Sequence, residues 1–349
     1  MYNAEGKDRI PRVLGPFSPS DSLRLYRLQK KGISLIPRQD LTQPSAPLRE
    51  AWLAFVTQQA MGQPTYVLYD PHEGEAFVQI RYRPHQAAAD VAFLAPTLAE
   101  NHQTARAWAR LLDGACFEAA KRGIQRIFAS LPESGAEVDI FQQVGFTLFS
   151  SEDIYRLVPQ DESSGDHPGL ALEPQRPEDW ASIQKLRVAI TPQRVRQAEG
   201  GIVTAFSNER NNRRLVLRDN DGSDLMGEIE LYTGSYGHWI HVWIHPDARQ
   251  MARALIQRAV QAVDDQSGRP IYCDVRQYES GLHSALDEVG FRRIATRALM
   301  AKPTLAWVKT SAQELAPALK SNAEPVPPTY RAAGESDFQT SNGRLAAKQ

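Results

Sequence analysis

Titratable side chains are concentrated in two neighbouring stretches of the sequence, LMGEIELYTG and HWIHVWIHP. The first contains Glu228 and Glu230, and the second contains His238 and His241. Alternation along a strand places His241 on one face with two indole rings, opposite a row of isoleucine and valine side chains. Imidazole and carboxylate groups can accept a proton near neutral pH, as general-base catalysis requires. In the alternative interpretation, these histidines are exposed on a sheet face or hydrogen-bonded in packing.

The same strand pattern argues against a metal site. His241 and His245 have the spacing of a zinc-binding pair on a helix, but on a strand their rings lie roughly 13 Å apart. A zinc ion with bonds of about 2 Å cannot bind both rings. Cys116 and Cys273 stand in apolar patterns, which predicts buried thiols in a reducing compartment. We expect no bound metal.

The composition of the 349 residues excludes several classes of partner. The chain has 40 basic and 41 acidic residues, so its charge does not favour a nucleic acid. No segment approaches the ~18 continuous apolar residues of a membrane span. The first residues are charged and contain prolines, unlike a signal peptide. These features predict a cytoplasmic protein that binds neither nucleic acid nor membrane.

Two halves of the chain share one pattern of elements. In each half, VGF follows a glycine by 22 residues, at Gly123 and again at Gly268. An amphipathic helix with apolar positions at i, i+3, i+4, i+7, i+8 and i+11 precedes each glycine, which suits the left-handed position that ends a helix. Each helix follows short strands with turns rich in Gly, Asp and Asn, typical of hairpins. The matching order and spacing predict a duplicated unit of roughly 140 residues.

The repeat gives a prediction of domain organisation. Residues 1–12 form an N-terminal arm, 13–159 a first domain, 160–169 an acidic linker rich in turn residues, and 170–302 a second domain. Residues 303–349 are a C-terminal extension, with low apolar content from about residue 319 that predicts disorder. Each domain is predicted to be α/β, an α+β arrangement in which a mixed sheet has helices on both faces.

The order of elements, together with the GF that follows the last helix, resembles the GCN5-related N-acetyltransferase (GNAT) superfamily. The resemblance covers nearly all of the predicted ordered chain and implies two tandem GNAT-like acyl-CoA N-acyltransferase domains. It implies acetyl-CoA or another acyl-CoA as co-substrate and a small-molecule amine as acceptor. In tandem members of this kind often only one domain is catalytic, and here the first domain looks structural or degenerate.

The resemblance also implies a coenzyme site after the fourth strand of the second domain. The family pattern there is Val-x-Pro, followed by Arg-x-x-Gly-x-Gly/Ala at the start of the long helix. Backbone N–H groups at such a helix start bind a diphosphate. The matching residues in this sequence are Ile244, Arg249, Gln250, Met251, Ala252 and Arg253. Gln250, Met251 and Ala252 stand where the pattern has Gly-x-Gly/Ala, and only Ala252 fits it.

The family's catalytic positions are altered as well. A tyrosine usually stands four residues before the glycine of GF, where this chain has Phe141 and Leu286. The resemblance implies a base on the fourth strand or its neighbour, so His241 is the first candidate, Glu230 the second, and His238 and Glu228 the others. Two classes of function stay open: direct attack of an amine on acyl-CoA, and a non-catalytic tandem module that binds a small molecule or a protein. The oligomeric state is open too.

Overall fold

The computed structural model describes residues 14–70, 74–98, 102–158, 170–201, 211–219, 221–222, 224–263, 268–279 and 281–304. The predicted N-terminal arm and linker lie outside the described residues, as does the C-terminal extension from residue 305 onward. The predicted domain boundaries therefore stay a prediction. Among the described residues, no helix is both long and apolar enough to cross a membrane.

The described residues form one long helix, in the first half, and several shorter ones. In chain order they are α1 Ser22–Leu28, α2 Pro37–Thr42, α3 Pro47–Val56, α4 His102–Lys121, α5 Glu137–Gln143, α6 Trp180–Ile190, α7 Gln193–Glu199, α8 Ala252–Ala262 and α9 Gly281–Val289.

The strands of the described residues form one continuous mixed sheet. The first-half strands are β1 Leu14–Pro16, β2 Ile33–Ser34, β3 Thr65–Asp70, β4 Gly74–Tyr82, β5 Ala88–Ala95, β6 Arg126–Pro132 and β7 Thr147–Leu157. The second-half strands are β8 Leu172–Pro174, β9 Asn212–Arg218, β10 Leu225–Thr233, β11 His238–Ile244, β12 Ile271–Arg276 and β13 Arg292–Pro303. The spatial order is β1-β3-β4-β5-β6-β13-β7-β12-β11-β10-β9-β8, with β2 beside β5.

The two halves exchange their last strands. Strand β7 ends the first half, yet it pairs with β12 and β13 of the second half. Strand β13 ends the second half and pairs with β6 of the first half as well as with β7. Each half therefore completes the sheet of the other, and neither sheet is complete without its partner.

The amphipathic helices lie where the sequence periodicity predicts. Trp108, Leu111 and Leu112 of α4 are fully buried in a core against β3 and β4, and Leu255 and Ile256 of α8 are buried in a second core against β10 and β11. The opposite face of the sheet holds a separate core beneath α1 and α3, so helices cover both faces as predicted. Gly123 and Gly268 have φ of 80° and 66°, which confirms the left-handed helix ends.

Candidate functional site

The parallel strands β11 and β12 separate halfway along their length. Their pairing ends at His241 opposite Asp274, whereas β11 continues to Ile244. We call the gap beyond this last pair the second-half cleft. In the described part of the chain no other strand pairs with this edge of β11, so its backbone groups face the cleft.

A hydrogen-bonded chain of side chains stands at the inner end of this cleft. His241 Nδ1 lies 2.7 Å from Asp274 Oδ2, and the other oxygen of Asp274 accepts a hydrogen bond of 2.8 Å from Trp239 Nε1. Burial lowers the pKa of His241, but the Asp274 carboxylate outweighs it and raises the pKa to about 9. His241 is therefore charged at neutral pH, and Asp274 fixes the orientation of its ring.

A second carboxylate faces the other nitrogen of this imidazole. Glu279 Oε1 lies 3.9 Å from His241 Nε2, and both atoms are enclosed without a hydrogen-bond partner. The other oxygen, Oε2, accepts a hydrogen bond of 2.9 Å from the backbone N–H of Arg276. Burial raises the pKa of Glu279 to about 7, since the attraction of His241 offsets only part of the desolvation. His241 and Glu279 together form what we call the proton pair.

A cavity of about 170 Å³ borders the His241 ring. Its walls come from both halves: a hairpin of the first half, helix α6 and the segment after it, and strands β11 and β12. The lining residues are Arg83, Gln86, Arg187, Thr191, Glu199, Gly201, His241, Trp243, Arg276 and Tyr278. The volume lies below the ~300 Å³ at which pockets for drug-sized ligands begin, so the cavity suits a small ligand.

The exchanged strand β7 contributes a charge to this site. Glu152 of β7 is buried, and its Oε2 lies 3.3 Å from Nε of Arg276. The same guanidinium also contacts Glu199, with Nη1 3.4 Å from Oε1. Arg276 thus links a first-half carboxylate to a second-half carboxylate at the wall of the cavity.

The other three predicted bases are held by partners of their own or lie on the other face, although Glu230 is directly opposite His241 on the neighbouring strand β10. Glu228 is fully buried and accepts two hydrogen bonds from Arg187, of 2.9 and 3.0 Å. Glu230 accepts a hydrogen bond of 2.7 Å from Asn212. Burial raises the pKa of Glu230, but nearby arginines, first among them Arg214, lower it more, and a carboxylate held in this way is a weak base. His238 is buried on the strand face opposite His241.

The residues predicted to bind a diphosphate form a different structure from the expected helix start. Residues Pro246–Met251 wind into a 3₁₀ helix, and the α-helix begins at Ala252 rather than at Gln250. Ile244 and Ala252 are buried, Met251 packs against the core, and Arg249, Gln250 and Arg253 are exposed. Arg253 forms an ion pair of 3.6 Å with Glu288 on α9.

The 3₁₀ helix removes the amide donors that a diphosphate needs. Each N–H in such a helix bonds to the carbonyl three residues earlier. Ala248 N bonds to the His245 carbonyl and Ala252 N to that of Arg249. The Asp247 N–H contacts the His245 ring at 3.3 Å, and the carboxylate of Asp247 lies beside the same ring. This turn therefore does not offer a diphosphate a row of free amide groups.

The first half has an equivalent cleft, but the chain itself fills it. Pairing of β5 with β6 ends at Asp90 opposite Phe128, and β5 continues to Ala95. Strand β2 pairs with this free edge, with Ser34 opposite Phe93, and Leu35 N donates to the Ala92 carbonyl at 2.9 Å. We call this gap the first-half cleft. No ligand can pair with an edge that is already hydrogen-bonded.

Two carboxylates beside His241 are not among the residues that the sequence pattern singles out. Asp274 stands inside an apolar strand, and a buried carboxylate there is a signal of a specific partner. Glu279 belongs to the ESG that both halves contain, which the sequence analysis treats only as part of a turn. In the described residues, no group of three His, Cys, Asp or Glu side chains could hold a metal.

Comparisons with solved structures define the fold. A GCN5-related N-acetyltransferase from Sphaerobacter thermophilus is 14% identical, with a TM-score of 0.55 over 84% of this chain and 95% of that chain. A Drosophila protein is 13% identical, with a TM-score of 0.51 over 84% of this chain and 99% of that chain. A tandem GNAT protein from the clavulanic acid biosynthesis pathway is 12% identical, with a TM-score of 0.49 over 84% and 98%.

The Sphaerobacter and Drosophila structures share a fold with the chain at low identity. No protein-family model matches the sequence, and no curated protein matches it. The chain has the GNAT fold, in a tandem arrangement that the repeat in its sequence and the two equivalent clefts make visible.

Proposed function

We propose that the second half transfers an acyl group from a thioester such as acetyl-CoA to a small primary amine. The observation that supports this proposal is the position of the proton pair. His241 is the last paired residue before β11 and β12 separate, so it stands between the open cleft and the cavity. A donor in the cleft and an acceptor in the cavity would meet beside this ring, and such proximity is a major source of catalysis.

The proton pair can serve both steps of such a transfer. Between about pH 7 and 9 it holds one proton, on His241. As the C–N bond forms and the C–S bond breaks, Glu279 accepts the proton from the amine and His241 donates one to the departing sulfur. His241 then has the acid role that Phe141 and Leu286 cannot fill. Nε2 is enclosed and Asp274 holds the ring, so the proposal requires the Glu279 carboxylate to turn toward the cavity when the acceptor binds, a common rotamer change.

The proposal assigns donor binding to the edge of β11. An acyl-CoA, when bound, supplies an acyl group activated as a thioester, and its pantetheine arm carries amides that can pair with a free strand edge. Residues Val242–Ile244 pair with β10 but lie beyond the last pair with β12, so they offer that edge. The turn Pro246–Met251 offers the diphosphate no free amides, so the arm rather than the nucleotide would provide most of the affinity.

The test is release of free thiol from acetyl-CoA in the presence of a panel of small amines, with the acylated product identified by mass spectrometry. We expect release that depends on the amine and saturates with its concentration. Absence of transfer to every amine, with no acyl donor bound in calorimetry, would contradict the proposal.

One observation favours the alternative of a non-catalytic tandem module. The first-half cleft is filled by β2, and the diphosphate turn of the second half is wound into a 3₁₀ helix. A module that had lost catalysis would keep the cavity as a binding site and would have no need of the proton pair. In that case small amines would bind the protein while acetyl-CoA would not.

A further inference from the structure

The cavity presents positive charge to a ligand. Arg83, Arg187, Arg276 and His241 border it, whereas Glu199 is the one carboxylate among those of its lining residues that the structure describes. Carboxylates also neutralise these cations, but Asp90 and Glu228 contact their guanidiniums from outside the lining. A ligand in the cavity therefore meets the cations first.

Two of these guanidiniums are held rigidly through two of their nitrogens, which leaves the third for a ligand. Arg83 bonds Asp90 through Nε and Nη2, and its guanidinium stacks on the Phe128 ring at 4.1 Å. Arg187 bonds Glu228 through the same two nitrogens and stacks on Trp243 at 4.0 Å. Among the described residues, Nη1 of neither arginine has a hydrogen-bond partner. Guanidiniums fixed in this way are preorganised to donate hydrogen bonds to a carboxylate.

We propose that the cavity selects a small primary amine that carries a carboxylate, whose carboxylate binds Arg83 and Arg187 and whose amine lies toward His241. The selectivity for this acceptor class rests on the proposed acyl transfer, whereas the carboxylate site stands on the cavity alone. Arg83 belongs to the β4–β5 hairpin of the first half, so the half with the filled cleft supplies a specificity residue to the active half.

The experiment compares β-alanine with propylamine, which has the same backbone length and no carboxylate. We expect kcat/KM for β-alanine to exceed that for propylamine by about 10- to 100-fold, the effect of one hydrogen bond between charged groups. In Arg83→Gln this preference should fall by about tenfold, because only Arg187 then remains to bind the carboxylate. Equal use of both amines by the unmodified protein, or a preference that is unchanged in Arg83→Gln, would overturn the inference.

Arg81→Gln is the matched control. Arg81 also contacts Asp90, with Nη2 3.2 Å from Oδ2, but it does not line the cavity. Both variants leave Asp90 with one arginine, and Arg81→Gln should keep the preference.

Calorimetry with β-alanine alone separates this inference from the proposed function. Binding that is lost in Arg83→Gln and kept in Arg81→Gln supports the carboxylate site, even if no amine is acylated. No binding of β-alanine in calorimetry, together with transfer to propylamine, would overturn the carboxylate site and leave the acyl transfer intact.

Discussion

The two clefts of this molecule have the same strand arrangement, but a strand of the chain itself lies in only one of them. In each half a parallel strand pair separates after a charged residue, at Asp90 in the first half and His241 in the second. In the first half β2 pairs with the free edge, and Arg83 and Arg81 lower the pKa of Asp90 although burial raises it. In the second half the edge is free and the pKa of His241 is raised to about 9.

Two halves with the same strand arrangement can therefore differ in role: the second half keeps a free strand edge, and the first half fills its own. The first half has an ion-paired carboxylate that cannot act as a base, and it uses its own backbone as the ligand of its cleft. It nevertheless contributes Glu152 and Arg83 to the site of the other half. The exchange of β7 and β13 makes this contribution permanent, because neither half can leave the shared sheet.

The largest expected effect is loss of activity from the proton pair. His241→Gln and Glu279→Gln should each lower kcat by about 10²–10⁴-fold, the usual contribution of a general acid or base. His283→Gln is the control. His283 is hydrogen-bonded to Tyr155 on the opposite face of the sheet and does not line the cavity. If kcat of all three variants is equal in a thiol-release assay, the second half has no special chemistry and the comparison fails.

The pH dependence should follow from the same two groups. Activity requires Glu279 ionised and His241 protonated, so kcat/KM should rise as pH increases through about 7 and fall as it increases through about 9. The charged groups around the pair are Asp274 and Arg276, which stay ionised across this range. Glu279→Gln should remove the acid limb from the residual activity, and a limb that persists would assign it to another group.

Glu279→Gln should also stabilise the protein at alkaline pH. The pKa of Glu279 is raised in the folded state from 4.5 to about 7, so its contribution to stability is present below pH 4.5 and is lost as pH rises through 7. At pH 8 the variant has no ionised buried carboxylate at this position. We therefore expect its free energy of unfolding to be higher by on the order of 2 kcal/mol. At pH 4 the difference should vanish. Urea unfolding at the two pH values measures it.

Because β2 fills the first-half cleft, we expect a larger side chain next to β2 to lower the free energy of unfolding. A Cβ at Gly32 would lie 2.2 Å from the Phe93 ring and 2.8 Å from the Leu94 carbonyl oxygen. Since backbone atoms cannot move aside easily, Gly32→Ala should lower the free energy of unfolding by about 1–3 kcal/mol. Gly114→Ala is the control, because its Cβ meets only the Leu14 side chain. Equal stability of the two variants in urea unfolding would mean that β2 is not seated in the cleft.

The smallest expected effect concerns the nucleotide of the donor. A hydrogen bond to a charged group contributes about 1.5–3 kcal/mol, so a protein that binds a diphosphate through two amides loses ~100-fold affinity or more without it. Here the 3₁₀ helix offers no such amides, and acetyl-pantetheine should bind within about tenfold of acetyl-CoA. A larger difference in calorimetry would show that Pro246–Met251 rearranges to bind the diphosphate.

Much of the fold could be predicted from the sequence because its signals are local. Apolar periodicity placed α4 and α8, and glycine identified the left-handed helix ends at Gly123 and Gly268. The exchange of β7 and β13 leaves no local trace, since each strand has the same alternation in either partner. The position of β2 in the first-half cleft is equally invisible, because two residues of pairing carry no periodic pattern.

The candidate site could be predicted only in part. The strand pattern singled out His241, but its two carboxylate partners depend on the register of β12 and on the turn that follows it. Glu228 and Glu230 are as titratable in the sequence as Glu279, and only the packing of Arg187 and Arg214 shows that they are ion-paired. The sequence shows that Gln250 replaces a glycine of the family pattern, but it does not predict that residues Pro246–Met251 form a 3₁₀ helix.

The number of acyl-donor sites tests the account most directly. Isothermal titration calorimetry of the full-length protein with acetyl-CoA should give one site per chain, because the second-half cleft is open and β2 occupies the first. Two sites would contradict the filled cleft, and absence of binding would contradict the acyltransferase.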